Sequence, residues 1–398
     1  MVLFRVFAAE DAKDSSSAPR SNTTTSGGHF KAFPLKAVAL FLVFVALATV
    51  LSFATIYRSR YFDIKAAIAQ PMASAARLCR GGGEDDDPDG LARWIRPPRA
   101  AMHNMSDAEL FWRASMVPMI SKYPFKRKPK VAFMFLTRGP LPLAPIWEKF
   151  FEGHEGLYSV YVHTLPDYKD GFPPASVFYR RQIPSQVAEW GKMSMCDAER
   201  RLLANALLDL SNERFVLLSE SCVPLYNFVI VYQYLMKSRY SFVGAFDDPG
   251  PHGRGRYSPR MAPDVGISQW RKGAQWFEVD RNLAARVVSD MKFYPKFRDF
   301  CKPACYVDEH YFPTMLTIET PHLIANRSIT WVDWSRGGAH PATFGKGDIT
   351  EAFLKRIHGD KKCLYNDQPS TVCFLFARKF APSALEPLLN FANTLLAF

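Results

Sequence analysis

Asp308 and Glu309 stand beside His310 in the run Cys305-Tyr-Val-Asp-Glu-His-Tyr311, two carboxylates and an imidazole set between aromatic side chains. Burial in such surroundings can tune a carboxylate or an imidazole as a proton acceptor. The same acids would equally suit the first turn of a helix, where they favour the dipole, and pattern alone leaves both roles open. A second group follows in Trp331-Val-Asp-Trp-Ser-Arg-Gly-Gly338, His340-Pro341 and Phe344-Gly-Lys-Gly-Asp348, and a third in Phe374-Leu-Phe-Ala-Arg-Lys-Phe380. Arg336, Lys346, Arg378 and Lys379 are cations that could converge on a phosphate, arginine as a bidentate fork and lysine as a point charge. Trp190, Trp270 and Trp276 could stack on sugar rings or simply fill a core.

Such groups need a rigid scaffold, and the sequence supplies one from Lys130 onward. VAFMFLT (131–137), LYSVYVH (157–163) and RFVLLS (214–219) are short apolar runs that read as buried strands, and YSFVGA reads as a further one. Between them IWEKFFE and YNFVIVYQYLMK read as helices. A third helix opens at Ser194-Met-Cys-Asp197, spaced as a capping box, and carries Ala198, Leu202, Leu203, Ala206, Leu207 and Leu210 on one stripe. This alternation predicts an α/β fold with a mostly parallel sheet. Ligands of such sheets bind beyond the carboxyl ends of the strands, which marks Thr137, Arg138, His163, Thr164, Glu220, Ser221, Asp247 and Asp248 for inspection.

Ahead of that body, residues 1–36 are polar and Ser/Thr-rich. An uncharged run follows from Ala37 to Tyr57, long enough at about 1.5 Å per residue to cross a hydrocarbon core of about 30 Å. It lies too far from the start, and is too long, for a cleaved signal peptide, so a retained signal-anchor is expected. Residues 58–125, with GGGEDDDPDG and RPPR, read as a stem, and 126–398 as the catalytic domain. Sequons at Asn104 and Asn326, and six cysteines beyond Cys79, favour a lumenal body; Cys301 with Cys305, or Cys363 with Cys373, could pair there. P-loop, HExxH and paired CxxC motifs are missing, which disfavours P-loop NTPases, zincins and zinc ribbons. The chain carries 50 Lys and Arg against 38 Asp and Glu, a net +12. That mild excess suits an anionic small molecule without pointing to nucleic acid.

The runs FMFLTRGPLP, EWGKMSMCDAERRLLANAL, FVLLSESCVPL, WRKGAQWFEVDR, VDEHYFPT, FGKGDI and FARKF together resemble the plant branch of the core-2/I-branching β-1,6-N-acetylglucosaminyltransferase family, over roughly Phe125 to Phe380. The resemblance implies a GT-A-like fold behind one transmembrane helix and a stem, in a type II Golgi membrane protein. It implies transfer from a UDP-sugar, with inversion at the anomeric carbon, to a glycan hydroxyl on a glycoprotein or polysaccharide. Glu309 maps onto the family's catalytic base, and Arg336 and Lys379 onto the residues that bind the donor diphosphate. Arg260, Trp270 and Lys272, with Thr137, Arg138, Glu220 and Asp308, are further candidates for donor or acceptor contacts. No Asp-x-Asp follows the FVLLS strand, so catalysis without a metal cofactor is expected, with Arg336 and Lys379 meeting the leaving-group charge. N-acetylglucosamine is the family's default sugar. A β-glucuronosyltransferase acting on arabinogalactan, or a non-catalytic carbohydrate-binding relative, are the alternatives. A glycoside hydrolase fits poorly, because it needs two acids about 5–10 Å apart across the sugar and adjacent residues point apart.

Overall fold

The computed structural model describes residues 100–398 except 119–121, 170 and 360–361, together with 95–98, Leu91, Ser52 and Ala48. The apolar run 37–57, apart from Ala48 and Ser52, and most of the expected stem before residue 95 lie outside the described residues. Among those described, no helix is long and apolar enough to cross a membrane. The chain divides into the units Met1–Asp87 and Pro88–Phe398, and the described residues fall almost entirely in the second.

The central sheet has four strands in the order β2 (Tyr158–His163), β1 (Lys130–Leu136), β3 (Asn212–Ser219), β5 (Glu278–Asp280). The first three run parallel and β5 is antiparallel. Both faces are covered, as the unbroken apolar runs demand. Ala132 and Met134 of β1 face one core with Phe215 and Leu217 of β3, while Phe133 and Phe135 face the other with Val216 and Leu218. On the first face lie α1 (Asp107–Ala114), α3 (Met193–Leu207), α5 (Arg281–Ser289), α6 (Phe293–Phe300) and α7 (Val307–Glu319). The second carries α2 (Ala144–Phe151), α4 (Phe228–Lys237), α8 (Glu351–Gly359) and α9 (Leu385–Phe391). A smaller sheet, ordered β4 (Val223–Pro224), β9 (Phe376–Arg378), β6 (Thr330–Val332), carries the C-terminal motifs. The hairpin β7 (Cys363–Tyr365) and β8 (Gln368–Ser370) turns through Asn366 and Asp367, both at positive φ as a two-residue turn requires. Cys363 is bonded to Cys373 and Cys301 to Cys305, so both pairs anticipated as candidates are disulfides.

Four sequence expectations need correction. The folded body starts ahead of Lys126: α1 places Leu110 and Ala114 in the core and is tied to α3 by Arg201, whose guanidinium donates to both Asp107 oxygens at 2.8–2.9 Å. Eight residues are too few for a helical period to stand out from loop chemistry. The capping box at Ser194 is not formed; α3 begins at Met193 without a side-chain cap, and Ser194 Oγ accepts from Glu189 N–H instead. That helix is also buried beyond its apolar stripe, because α1, α5 and α7 cover its polar side. Arg200 donates to Val288 O at 3.0 Å, and Glu199 accepts from Gln275 at 2.8 Å. YSFVGA is not a strand but makes isolated bridges at Ser241 and Phe242, with another at Phe246 just beyond it. Both sequons are exposed, Asn326 with its Oδ1 accepting from Ala245 N–H at 2.6 Å.

Candidate active site

Glu309 is placed by the start of α7. Tyr306 precedes the helix at φ +57°, and Asp308 and Glu309 occupy its first turn. Their side chains point apart. Asp308 is buried, whereas Glu309 stays partly open, with Arg256 Nη1 donating to its Oε2 at 3.2 Å. The backbone behind it is fixed by Gly273 N–H, which donates to Glu309 O at 2.8 Å. Only glycine fits there, since a Cβ on Gly273 would stand 1.9 Å from Gly244 O. His310 is fully buried, with Nδ1 2.8 Å from Arg271 O and its ring stacked 4.5 Å from Trp270.

Beneath Glu309 two acids are shut into the interior. Burial first, then the charge of Glu309, push Asp308 up to about 7. Glu199 of α3 is pushed well above the usual carboxylate range by burial and then by Asp308. Asp308 Oδ1 and Glu199 Oε2 have no hydrogen-bond partner among the described residues. The sign of the resulting pH dependence is fixed. The folded protein keeps Asp308 protonated where the unfolded chain ionises near 4, so stability present at low pH is lost as pH climbs through about 7. Asp308→Asn is therefore expected to raise the melting temperature at pH 8 by about 3–6 °C and to change it little at pH 4.5, read by scanning calorimetry. Buried His310, pushed down to about 4, has the opposite sign, so the difference between variant and wild type carries the result. A variant melting below wild type at pH 8 would contradict it.

The cations gather at the carboxyl ends of the strands. Lys379 follows β9, Arg138 follows β1 and Glu220 follows β3. Burial pushes the half-buried Lys379 ammonium down, and Arg378 and Arg138 push it further, with Glu220 the carboxylate that opposes them. Arg378 lies over the Trp276 ring at 4.0 Å, its Nε buried without a hydrogen-bond partner among the described residues. Arg336 is exposed, its guanidinium 5.7 Å from the Phe344 ring centroid, and Phe344 N–H donates to Lys379 O at 2.9 Å. Phe344 thus meets Arg336 with its ring and the Lys379 backbone with its amide. Lys346 is not part of the group, because it pairs with Glu386 at the surface.

Side-chain contacts link Glu309 to the loop that carries Arg336. From Glu309 the link runs through Arg256, whose guanidinium lies 4.0 Å from the Tyr306 ring centroid. Trp190 sits 4.8 Å from Tyr306 and 5.0 Å from His340, on the same loop as Arg336. The cavity of about 110 Å³ lined by His103, Arg113, Tyr161 and Asn205 contains none of these residues.

Several residues anticipated as contacts are engaged within the protein. Trp270 is fully buried between Phe297 and His310, with Nε1 donating to Gly253 O at 3.0 Å. The Thr137 hydroxyl is spent on a turn with Gly139. Asp308 faces the interior, and Trp276 is buried beneath Arg378. Arg260 covers Phe300 at 4.6 Å and shares no contact with the Glu309 group among the described residues. Lys272 pairs with Asp248 at 3.5 Å. Arg256 and Tyr306, which do meet Glu309, carried no periodic signal; the one hint was Tyr306 inside the acidic run.

The model of the core-2/I-branching enzyme family matches residues 131–358, from the first strand through α8. The chain belongs to the core-2/I-branching enzyme family. This branching-family protein is also 38% identical to the protein named Glycosyltransferase BC10 of Oryza sativa subsp. japonica, over 312 residues that span 66% of this chain and 76% of the rice protein. It is accordingly a glycosyltransferase, using a nucleotide-sugar donor and a glycan acceptor, on a mixed α/β fold whose mostly parallel central sheet fits the GT-A-like class. In this glycosyltransferase Glu309 lies inside the matched residues and Lys379 just beyond them.

Proposed function

We propose that the enzyme transfers a sugar, N-acetylglucosamine by family default, from its UDP conjugate with inversion and without a metal. The observation that carries this reading is Lys379, set at the end of the sheet among Arg378 and Arg138 with one opposing carboxylate, Glu220. Such a surplus of fixed positive charge suits a diphosphate. Glu309 Oε accepts the proton of the acceptor hydroxyl as that oxygen attacks the anomeric carbon from the face opposite the diphosphate. The bond from that carbon to the diphosphate oxygen breaks with its electron pair, and the new negative charge meets Lys379, Arg138 and Arg336. Arg256 keeps the Glu309 carboxylate aimed before the acceptor arrives.

The apolar run 37–57, the two sequons and the two disulfides support a type II Golgi membrane protein with a lumenal catalytic body. Wall polysaccharides or wall glycoproteins are the acceptor class this reading favours. UDP-glucuronic acid is the alternative donor. Incubating the purified full chain with a panel of UDP-sugars and mixed wall acceptors tests the reading. Acceptor-stimulated UDP release from UDP-N-acetylglucosamine supports the default, and release from UDP-glucuronic acid alone replaces it. UDP binding without release from any donor would overturn transfer.

A further inference from the structure

Trp190 is an anomaly beside the site. It is 48% exposed, although Trp147 and Trp270 are fully buried. Trp112 and Trp334 are exposed as well, but neither has a ring contact with the Glu309 group among the described residues. Trp190 stands edge-on to Tyr306 at 74° and tilted to His340 at 47°, which leaves indole surface uncovered at the lip of the site.

The backbone on both sides of this corner lies at positive φ. Tyr306 adopts φ +57°, a left-handed conformation that is strained for a bulky residue. Gly191, next to Trp190, has φ +75°, and a Cβ there would stand 3.0 Å from the Tyr306 ring. The Trp190-Gly191 corner and Tyr306 are therefore fitted to each other. The same Tyr306 ring carries Arg256, which is bonded to Glu309. Strain of this kind persists where surrounding structure fixes a working geometry.

We infer that Trp190, backed by Tyr306 and His340, is a stacking shelf for a pyranose ring of the acceptor, one residue along from the sugar whose hydroxyl Glu309 deprotonates. This rests on the transfer reading above. A β-linked hexopyranose presents a face of C–H groups that an exposed indole desolvates, while its hydroxyls stay at the rim in water. The donor is held by its diphosphate at Lys379 and Arg138, so the ring on the Arg256 side belongs to the acceptor. The shelf makes the enzyme favour oligosaccharides over single sugars.

The test uses methyl β-galactoside with β-1,3-galacto- and cello-oligosaccharides of two and three rings. Trp190→Ala is expected to raise KM for the oligosaccharides about 10-fold or more, with kcat, the KM for the UDP-sugar and the KM for the monosaccharide glycoside within about 2-fold. Trp190→Phe recovers most of the loss. Calorimetric titration of these saccharides into the UDP-saturated protein needs no turnover, so it separates the shelf from the transfer reading. Oligosaccharide binding lost in Trp190→Ala keeps the shelf even if no transfer is seen. A Trp190→Ala enzyme impaired equally on every acceptor, an effect confined to donor KM, or no oligosaccharide binding at all would overturn it.

Discussion

Glu309→Gln is expected to lower kcat by about 10²–10⁴-fold, with the KM for the UDP-sugar within about 2-fold. The substitution keeps the shape of the side chain and an oxygen that can accept from Arg256, now 3.2 Å from Oε2. It removes only the capacity to take a proton. An acceptor hydroxyl attacking without a base must carry its proton into the transition state, and the barrier rises by that loss. Asp308 cannot take over, because it points into the interior behind the helix start. Tritium transfer from labelled UDP-sugar, followed at saturating acceptor, checks the value. A loss confined to KM would reassign Glu309 to binding.

Lys379→Ala is the second large effect, an expected drop of about 10²–10³-fold in kcat/KM for the donor. The Lys379 ammonium pays a desolvation cost and faces Arg378 and Arg138. A diphosphate would reverse that balance by placing negative charge among three cations. The interaction strengthens as the bond to the sugar breaks and charge builds on the leaving oxygen, so kcat falls along with affinity. Lys379→Arg keeps the charge but not the compact point geometry, and recovers part of the loss. Steady-state kinetics and UDP titration give both numbers. Unchanged UDP affinity in Lys379→Ala would move the diphosphate elsewhere.

The strands were legible because both sheet faces are buried, which turns β1 and β3 into unbroken apolar runs. Their carboxyl ends pointed to Arg138 and Glu220, and Lys379 joins them through β9. Glu309 and its divergence from Asp308 were readable from adjacency at a helix start. Trp270 misled, because an aromatic among basic residues looks the same whether it stacks on a sugar or on Phe297 and His310. Arg256 and Glu199 were invisible for a different reason. Arg256 meets Glu309 across 53 positions, and Glu199 is buried only because α1, α5 and α7 close over α3. Neither relation leaves a local period in the chain.

Acceptor-dependent UDP release by the purified full chain, measured with and without EDTA and alongside Glu309→Gln, tests the central claim most directly. A rate within about 2-fold of the untreated enzyme in EDTA, and lost in Glu309→Gln, is the outcome the fixed cations Lys379, Arg138 and Arg336 require. Release abolished by EDTA and restored by a divalent cation would contradict it, and so would a Glu309→Gln enzyme that keeps the wild-type rate.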